Sequence, residues 1–337
     1  MTDDRLTWLH CSDFHVGKDR AAQERLLGKI VEHVQEQVAS GRVPDLVFIT
    51  GDVGNRGLNA EYNAFNKDFI APLREALGGN TWQGRILAVP GNHDVDRTKA
   101  NAFDRDGVLA PGTRFFDPSS EGKAEREILF PRFKGYRQKA RVDVSGNWIN
   151  DAAGAFAEVI DVRGIKVGVL GVNTAWLSKD NKDQGRLTPG VELTEAALER
   201  IGDAQVRFVL GHHPLHWLQE DQAERLRALF GHHRAIYLHG HLHKAEGRSE
   251  DGAGNQFLVF QAGAAFQARD DEPWRNGLLW GQVDLAGEHV LVSPRFWNPS
   301  NYDWPVETGR FPEKRREPGS DWWIYPLPMK PSQTGLA

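Results

Sequence analysis

Strands and helices alternate along the first part of the chain, and this alternation restricts the fold more than any other feature of the sequence. Short apolar runs at residues 6–11, 45–50 and 85–89 have the length and composition of buried strands. Between them, residues 21–38 and 60–77 place apolar side chains at helical spacing. Parallel strands need such crossover helices, so these units predict an α/β fold with a mainly parallel sheet.

The pattern changes after residue 100. Residues 101–150 are rich in charge, Gly and Pro, and we interpret them as an insertion between core elements. Further strands are predicted at 155–162, 166–172, 206–210 and 235–238, and further helices at 191–201 and 220–230. Beyond residue 256 only strands are predicted, which indicates antiparallel pairs that extend or close a sheet. The tail from residue 298 is rich in Pro and Trp, and we expect it to pack on the domain surface.

Side chains of the types that bind metals follow directly after five of the predicted strands. The five clusters are Asp13-Phe14-His15, Gly51-Asp52, Gly91-Asn92-His93-Asp94, Gly211-His212-His213 and Gly240-His241-Leu242-His243. One such cluster alone is ordinary turn chemistry, because Asp and Gly suit tight turns. Five of them in a chain with 13 histidines indicate a shared site, since α/β folds place their sites at the carboxyl ends of strands.

The number and type of these donors point to two metal ions. Two aspartates, one asparagine carbonyl and four histidines are too many for one tetrahedral zinc, and they suit two adjacent transition metals that share a carboxylate. Two metals about 3.5 to 4 Å apart suit the hydrolysis of a phosphate ester, because they activate a bridging water and neutralise the phosphoryl oxygens.

Composition and charge exclude several other classes of protein. With 41 Lys and Arg against 46 Asp and Glu, the formal charge is -5, which disfavours a polybasic nucleic-acid module. Cys11 is the single cysteine, so an intrachain disulfide framework and a cysteine-based zinc cluster are excluded. The N-terminus lacks the pattern of a signal peptide, and no apolar stretch approaches ~18 residues. We therefore expect a cytoplasmic protein without a membrane partner.

In their order and spacing, the motifs resemble those of the calcineurin-like metallophosphoesterases. The family motifs are DxH, GDxxD, GNH followed by Asp or Glu, an isolated His, and GHxH, and they occur here in that order between about residues 6 and 245. The resemblance implies a four-layer α/β/β/α sandwich with mixed sheets. Residues 1–297 would form this domain, with the insertion at about 101–150, and residues 298–337 would form an extension packed on it.

The resemblance also implies a role for each residue of the motifs. The implied ligands are Asp13, His15 and His243 for the first metal, Asn92, His212 and His241 for the second, and Asp52 as the bridge between them. His93 would lie beside the substrate, where it stabilises phosphoryl charge or protonates the leaving oxygen, and Asp94 would orient it. The cofactors would be two divalent transition-metal ions, with manganese favoured over iron and zinc.

One motif departs from the family pattern. The sequence reads Gly51-Asp52-Val53-Gly54-Asn55, so Asn55 replaces the second Asp of GDxxD and the charge at that position is lost. Asn55 and Arg56 are candidates for contact with substrate, and a purely structural turn is the alternative. His213 is a further candidate for the substrate pocket, because the preceding histidine matches the family's isolated ligand.

These inferences predict a binuclear-metal hydrolase of phosphoric esters, with a small phosphodiester such as a nucleotide or cyclic nucleotide as substrate. A metal-dependent nuclease and a scaffold without activity are the alternatives. A nuclease would need a basic surface, and the candidate patch comprises Lys123, Arg126, Arg132, Lys134, Arg137, Lys139 and Arg141. A solvated helix face is the commoner explanation of such a patch, so nucleic acid is the disfavoured partner.

Overall fold

Two mixed β-sheets form the centre of the fold in the residues that the computed structural model describes, which are 4–100, 102–140, 146–149, 152–180, 182–267 and 275–328. The strands are β1 (Arg5–Cys11), β2 (Leu46–Thr50), β3 (Arg85–Val89), β4 (Gly146–Trp148), β5 (Ala155–Val162), β6 (Ile165–Val172), β7 (Val206–Leu210), β8 (Ile236–His239), β9 (Glu246–Gly252), β10 (Asn255–Gln261), β11 (Gly277–Asp284), β12 (His289–Phe296) and β13 (Trp323–Pro326). The first sheet has the order β13-β12-β11-β1-β2-β3-β4 and the second the order β5-β6-β7-β8-β10-β9.

Helices cover the outer face of each sheet. They are α1 (Arg20–Ala39), α2 (Asn59–Phe65), α3 (Ala71–Ala76), α4 (Arg105–Val108), α5 (Ser120–Glu127), α6 (Lys134–Ala140), α7 (Val191–Glu199) and α8 (Glu220–His233). A π-helical segment, Asn66–Ile70, joins α2 to α3. The helix predicted at 60–77 is therefore continuous, with a π-helical segment in its middle. No helix among the described residues is long and apolar enough to span a bilayer.

Side chains alternate between two apolar layers along the central strands. Trp8 of β1 points into the space between the sheets, where its ring lies 5.9 Å from that of Phe208. Leu9 points the opposite way and packs with Leu27 of α1. A third cluster joins the second sheet to α7 and α8. Each fully buried side chain of this size stabilises the fold by about 1.5–3 kcal/mol. The predicted four-layer α/β/β/α sandwich is confirmed.

The predicted insertion and the tail both contribute strands to the first sheet. Within 101–150, Gly146–Trp148 pairs in parallel with β3 at one edge. At the other edge Trp323–Pro326 pairs antiparallel with β12, and Trp323 and Tyr325 are fully buried between the sheets. The last part of the tail, residues 329–337, lies outside the described residues.

The basic patch proposed for nucleic acid is not a continuous surface. Arg126 and Arg132 are each 1% exposed. Arg126 donates from Nε to the carbonyl oxygen of Ala152, and Arg132 donates from Nη1 to that of Trp176. Two central members therefore join the insertion to the segments that follow it and are not available to a phosphate backbone. Arg141 lies outside the described residues.

Candidate metal centre

All five motif loops begin where a strand ends, and the strands concerned are neighbours. β1, β2 and β3 pair in parallel in the first sheet, and β7 and β8 pair in parallel in the second. Backbone hydrogen bonds then join the loops to one another. The N–H of His15 donates to the carbonyl oxygen of Asp52, and the N–H of Gly240 donates to that of His212. Parallel pairing thus brings distant parts of the sequence to one end of the sandwich.

The predicted metal ligands have an unusual backbone conformation. Among the described residues twelve that are not glycine have a positive φ, and five of these are predicted ligands. They are Asp13 (57°), His15 (46°), Asp52 (52°), His241 (72°) and His243 (54°). This conformation costs roughly 1–2 kcal/mol per residue and is concentrated at functional sites. The fold therefore stabilises a strained backbone at these five residues, and this conformation directs their side chains toward the candidate site.

Three potential ligand atoms surround Nε2 of His212. Its Nε2 lies 3.1 Å from Oδ1 of Asn92, 3.3 Å from Oδ2 of Asp52 and 3.3 Å from Nδ1 of His241. Its Nδ1 lies 2.7 Å from the carbonyl oxygen of Thr50. Because a carbonyl oxygen only accepts, Nδ1 carries a proton, and Nε2 is the ring nitrogen that faces the other donors.

A second group forms around Asp13. Oδ1 of Asp13 lies 3.3 Å from Nε2 of His243, and that nitrogen lies 3.2 Å from Nε2 of His15. Asp52 connects the two groups, because its carboxylate lies within 4.8 Å of donor atoms of both His15 and His212. Asp13 and Asp52 are at most 1% exposed, so both carboxylates are shielded from solvent.

The chemistry of these donors fits two divalent cations. Lone pairs of neutral imidazoles and of carboxylates repel one another at 3.1–3.3 Å unless positive charge lies among them. Such separations also suit adjacent ligands around an ion bound at about 2.0–2.2 Å. Protons respond to the same field: burial alone lowers the pKa of His212, but the carboxylates of Asp52 and Asp13 and the hydrogen bond to the Thr50 carbonyl oxygen together outweigh it and raise that pKa to about 9. Burial likewise raises the pKa of Asp52, but His212 holds that pKa well below its usual range.

Glycines precede the ligands because neighbouring loops leave no room for a side chain. A Cβ at Gly51, where φ is 89°, would lie 2.6 Å from Nδ1 of His212. A Cβ at Gly240 would lie 2.5 Å from Oδ2 of Asp13. Contacts below 3.0 Å are essentially never seen for a real Cβ, so both positions require glycine. The Gly-Asp and Gly-His pairs of the motifs thus follow from the close approach of the loops.

His93 lies at the edge of this cluster and is partly exposed. Its backbone N–H donates to Oδ1 of Asp52 at 2.7 Å, and its ring is 4.7 Å from that of His15 in a T-shaped arrangement. Its Nδ1 lies 2.9 Å from the carbonyl oxygen of Asn55, so Nδ1 donates and the ring is fixed by the main chain. Asn55, whose side chain replaces the family's aspartate, therefore orients His93 through its backbone.

Asp94 does not orient His93 as we expected. Its carboxylate accepts hydrogen bonds from the backbone N–H groups of Val53, Gly54 and Gly91 and from the hydroxyl of Tyr62, at 2.8–3.2 Å. Asp94 is fully buried, and burial, with the nearby Asp52 carboxylate, raises its pKa to about 6. Asp94 thus joins the loop after β2 to the loop after β3 and acts on the site through their backbones.

The three residues predicted to contact substrate occupy different environments. Arg56 is exposed and Asn55 is partly exposed on the loop beside His93. His213 is fully buried, with Nδ1 2.8 Å from Oγ1 of Thr174 and its ring 4.6 Å from that of His241. This placement favours a role for His213 in supporting His241 over the predicted contact with substrate.

Two residues that the sequence did not single out contact the predicted ligands. The ring of Trp217 lies 4.0 Å from that of His241, and Oε1 of Gln267 lies 3.0 Å from Nδ1 of His243. Trp217 follows the fourth motif by a few residues, so its proximity to that motif was the available signal. Gln267 is distant from every motif and became recognisable only through the fold.

The sequence matches the family model described as calcineurin-like phosphoesterase over residues 6–245. Among solved structures, it is similar to the purple acid phosphatase PPD1 from seeds of yellow lupin (Lupinus luteus), with 13% identity and a TM-score of 0.50, covering 90% of this chain and 53% of that one. It is also similar to a Vps29 single mutant from Entamoeba histolytica, with 13% identity and a TM-score of 0.38, covering 90% and 97% of the two chains.

Comparison with curated protein sequences gave no match. The likeness to solved structures at 13% identity concerns the fold alone. The family match is of a different kind, because it spans more than half of the chain and contains all five motif loops. The chain therefore belongs to the calcineurin-like phosphoesterase family.

Proposed function

We propose that the chain is a binuclear-metal phosphodiesterase that hydrolyses a small phosphodiester, a nucleotide or a cyclic nucleotide. The observation that carries this proposal is the convergence of the predicted ligands into two groups that share Asp52. Membership of the family supports metal-dependent hydrolysis of phosphoric esters in general. The preference for a diester is the finer part of the proposal and needs its own test.

In this proposal each of the two groups holds one ion. The ligands would be Asp13, His15 and His243 for one ion, Asn92, His212 and His241 for the other, and Asp52 for both. Divalent ions held there supply positive charge that stabilises the phosphoryl oxygens and makes water nucleophilic near neutral pH. Mixed imidazole and carboxylate donors accept manganese, iron or zinc, and we retain manganese as the favoured ion.

The other residues of the site position the ester and move a proton. His93, held at Nδ1 by the Asn55 carbonyl oxygen, would donate from Nε2 to the leaving oxygen or to a phosphoryl oxygen. Exposed Arg56 on the adjoining loop would pair with a second negative group of the substrate. Asp94 keeps the two loops in register through three backbone N–H groups.

Hydrolysis of two generic esters tests this function. With added Mn²⁺, the protein should hydrolyse bis(p-nitrophenyl) phosphate with kcat/KM at least about tenfold above that for p-nitrophenyl phosphate, a difference of roughly 1.4 kcal/mol in the barrier. A chelator should abolish both reactions. A higher rate on the monoester would overturn the diester preference, and no turnover of either ester by the metal-loaded protein would favour the scaffold alternative.

Two further assignments rest on the sequence and stay proposals. We propose residues 1–297 as the catalytic domain and residues 298–337 as an extension packed on it. We propose the cytoplasm as the location, because the single cysteine, Cys11, is buried and free, as is usual in a reducing compartment. The nuclease alternative loses support from the burial of Arg126 and Arg132.

A further inference from the structure

A loop outside the five motifs also borders the metal centre. It follows β10, which pairs in parallel with β8, so it begins at the same sheet edge as the loop of the fifth motif. Its backbone is joined to the first motif. The N–H of Ala265 donates to the carbonyl oxygen of Ser12 at 2.7 Å. The N–H of Phe266 donates to that of Asp13 at 3.1 Å, so the next residue, Gln267, is held beside the centre.

The side chain of Gln267 contacts a predicted ligand. Its Oε1 lies 3.0 Å from Nδ1 of His243. Because an amide oxygen only accepts, Nδ1 of His243 carries a proton and donates the hydrogen bond. The other ring nitrogen, Nε2, faces Oδ1 of Asp13 at 3.3 Å and Nε2 of His15 at 3.2 Å. The hydrogen bond to Gln267 thus fixes which nitrogen of His243 is directed at the metal centre.

A second buried residue fixes the position of Gln267. The backbone N–H of Gln267 donates to Oδ1 of Asn276 at 2.7 Å, and both residues are buried. The acceptor for His243 is therefore in place before an ion binds. Such preorganisation favours binding, because less conformational entropy is lost when the ion is held.

The nitrogen of the Gln267 amide makes no comparable contact. Nε2 is buried and has no hydrogen-bond partner among the described residues. A buried N–H₂ group without an acceptor costs free energy, and an apolar side chain of similar size would not incur that cost. The contact of Oε1 with His243 is therefore what an amide provides at this position and an apolar residue does not.

The ligands proposed for the other ion, Asn92, His212 and His241, are oriented in a different way. Nδ1 of His212 lies 2.7 Å from the carbonyl oxygen of Thr50, which is a main-chain acceptor. Within the described part of the chain, the hydrogen bonds of the Gln267 side chain reach none of these three ligands. A substitution at residue 267 should therefore act on one ion and leave the other unchanged.

We propose that Gln267 is a positioning residue that sets the affinity for the ion held by Asp13, His15 and His243. It acts through the ring of His243. Hydrogen-bond partners of metal-bound histidines fix the ring and raise its basicity, and their loss typically weakens metal binding about 10- to 100-fold. This inference rests on the ligand assignment of the proposed function and adds to it a residue that controls one of the two ion sites.

Titration of the metal-free protein with Mn²⁺ tests this proposal. Gln267→Met introduces an unbranched side chain of similar length without the carbonyl acceptor. Calorimetry should show that one ion binds about 10- to 100-fold more weakly than in wild type and that the other changes by less than about threefold. At Mn²⁺ concentrations between the two dissociation constants, electron paramagnetic resonance should show an uncoupled ion. Saturating Mn²⁺ should restore the coupling.

Further variants separate positioning from packing. Gln267→Glu keeps an acceptor for Nδ1 of His243, so it should bind both ions about as tightly as wild type. Gln267→Asn withdraws the acceptor on a shorter side chain and gives the same test as Gln267→Met if the latter is unfolded. Gln256→Met is the matched control, because Gln256 is exposed at the opposite end of β10, and it should change neither ion. Thermal unfolding of the metal-free proteins shows which variants are folded.

Three results would overturn the positioning role. They are unchanged affinity for both ions in Gln267→Met, equal weakening of both ions, and a loss in Gln267→Glu as large as that in Gln267→Met. The last two would assign Gln267 to packing alone.

These outcomes are independent of hydrolysis. The predicted binding pattern without turnover of either ester would support the positioning role and overturn the phosphodiesterase. Turnover of bis(p-nitrophenyl) phosphate with wild-type Mn²⁺ affinity in Gln267→Met would support the phosphodiesterase and overturn the positioning role.

Discussion

Asp52→Asn should lower kcat for bis(p-nitrophenyl) phosphate by at least about 10³-fold, or roughly 4 kcal/mol of transition-state stabilisation. The two carboxylate oxygens of Asp52 serve different partners, since Oδ1 accepts from the N–H of His93 and Oδ2 lies 3.3 Å from Nε2 of His212. Asparagine keeps the size of the side chain but removes the charge that both groups of donors share. Steady-state kinetics with saturating Mn²⁺ measures the effect.

Asp203→Asn is the matched control for this variant. Asp203 is exposed in the turn before β7, at the opposite end of that strand from the metal centre. Its replacement by asparagine makes the same chemical change and should leave kcat within about twofold of wild type. Full activity of Asp52→Asn would contradict the assignment of Asp52 as the shared ligand.

His93→Gln should lower kcat about 10²- to 10³-fold while both metals stay bound, because the proposed mechanism places the imidazole against the substrate and no predicted ligand is removed. Glutamine can still donate a hydrogen bond, but it cannot transfer a proton near neutral pH. The loss should therefore be larger for an ester with a poor alkoxide leaving group than for the p-nitrophenyl ester. Rates on both esters, together with metal content, separate proton transfer from a structural effect.

Three other outcomes of that experiment carry different meanings. An equal loss on both esters would assign His93 to stabilisation of phosphoryl charge, which is the other role that the resemblance implies. Unchanged kcat on both esters would contradict a catalytic role for His93. Loss of bound metal would show that the ring holds the loop after β3, through its contact with the Asn55 carbonyl oxygen.

The sequence predicted the central elements of the fold because their signals are local. Apolar runs of four to eight residues marked the strands from β1 to β8, apart from the short edge strand β4, and helical spacing marked α1, α7 and α8. Strands β4, β9 and β13 were missed, since their residues alone carry no clear alternation and all three form through pairing at a sheet edge. The burial of Arg126 was missed for a related reason, because its partners are backbone carbonyl groups of other segments.

The candidate ligands were recognisable because each motif couples a ligand to a glycine and to the end of a strand. The contacts that orient them were not recognisable. Asp94 was paired with its sequence neighbour His93 in the prediction, whereas the fold places it against the N–H groups of Val53 and Gly54, about 40 residues earlier. Gln267 similarly reaches His243 across 24 residues. Neither contact can be recognised from the local sequence pattern.

The central claim is that seven side chains from five loops form one binuclear centre, and titration of metal-free protein with Mn²⁺ tests it most directly. Calorimetry should give two ions per chain, and electron paramagnetic resonance should show that the two are magnetically coupled, because one carboxylate is shared. Asp52→Asn should lose the coupling. One ion per chain, or two ions without coupling in the wild-type protein, would contradict a centre in which Asp52 bridges both metals.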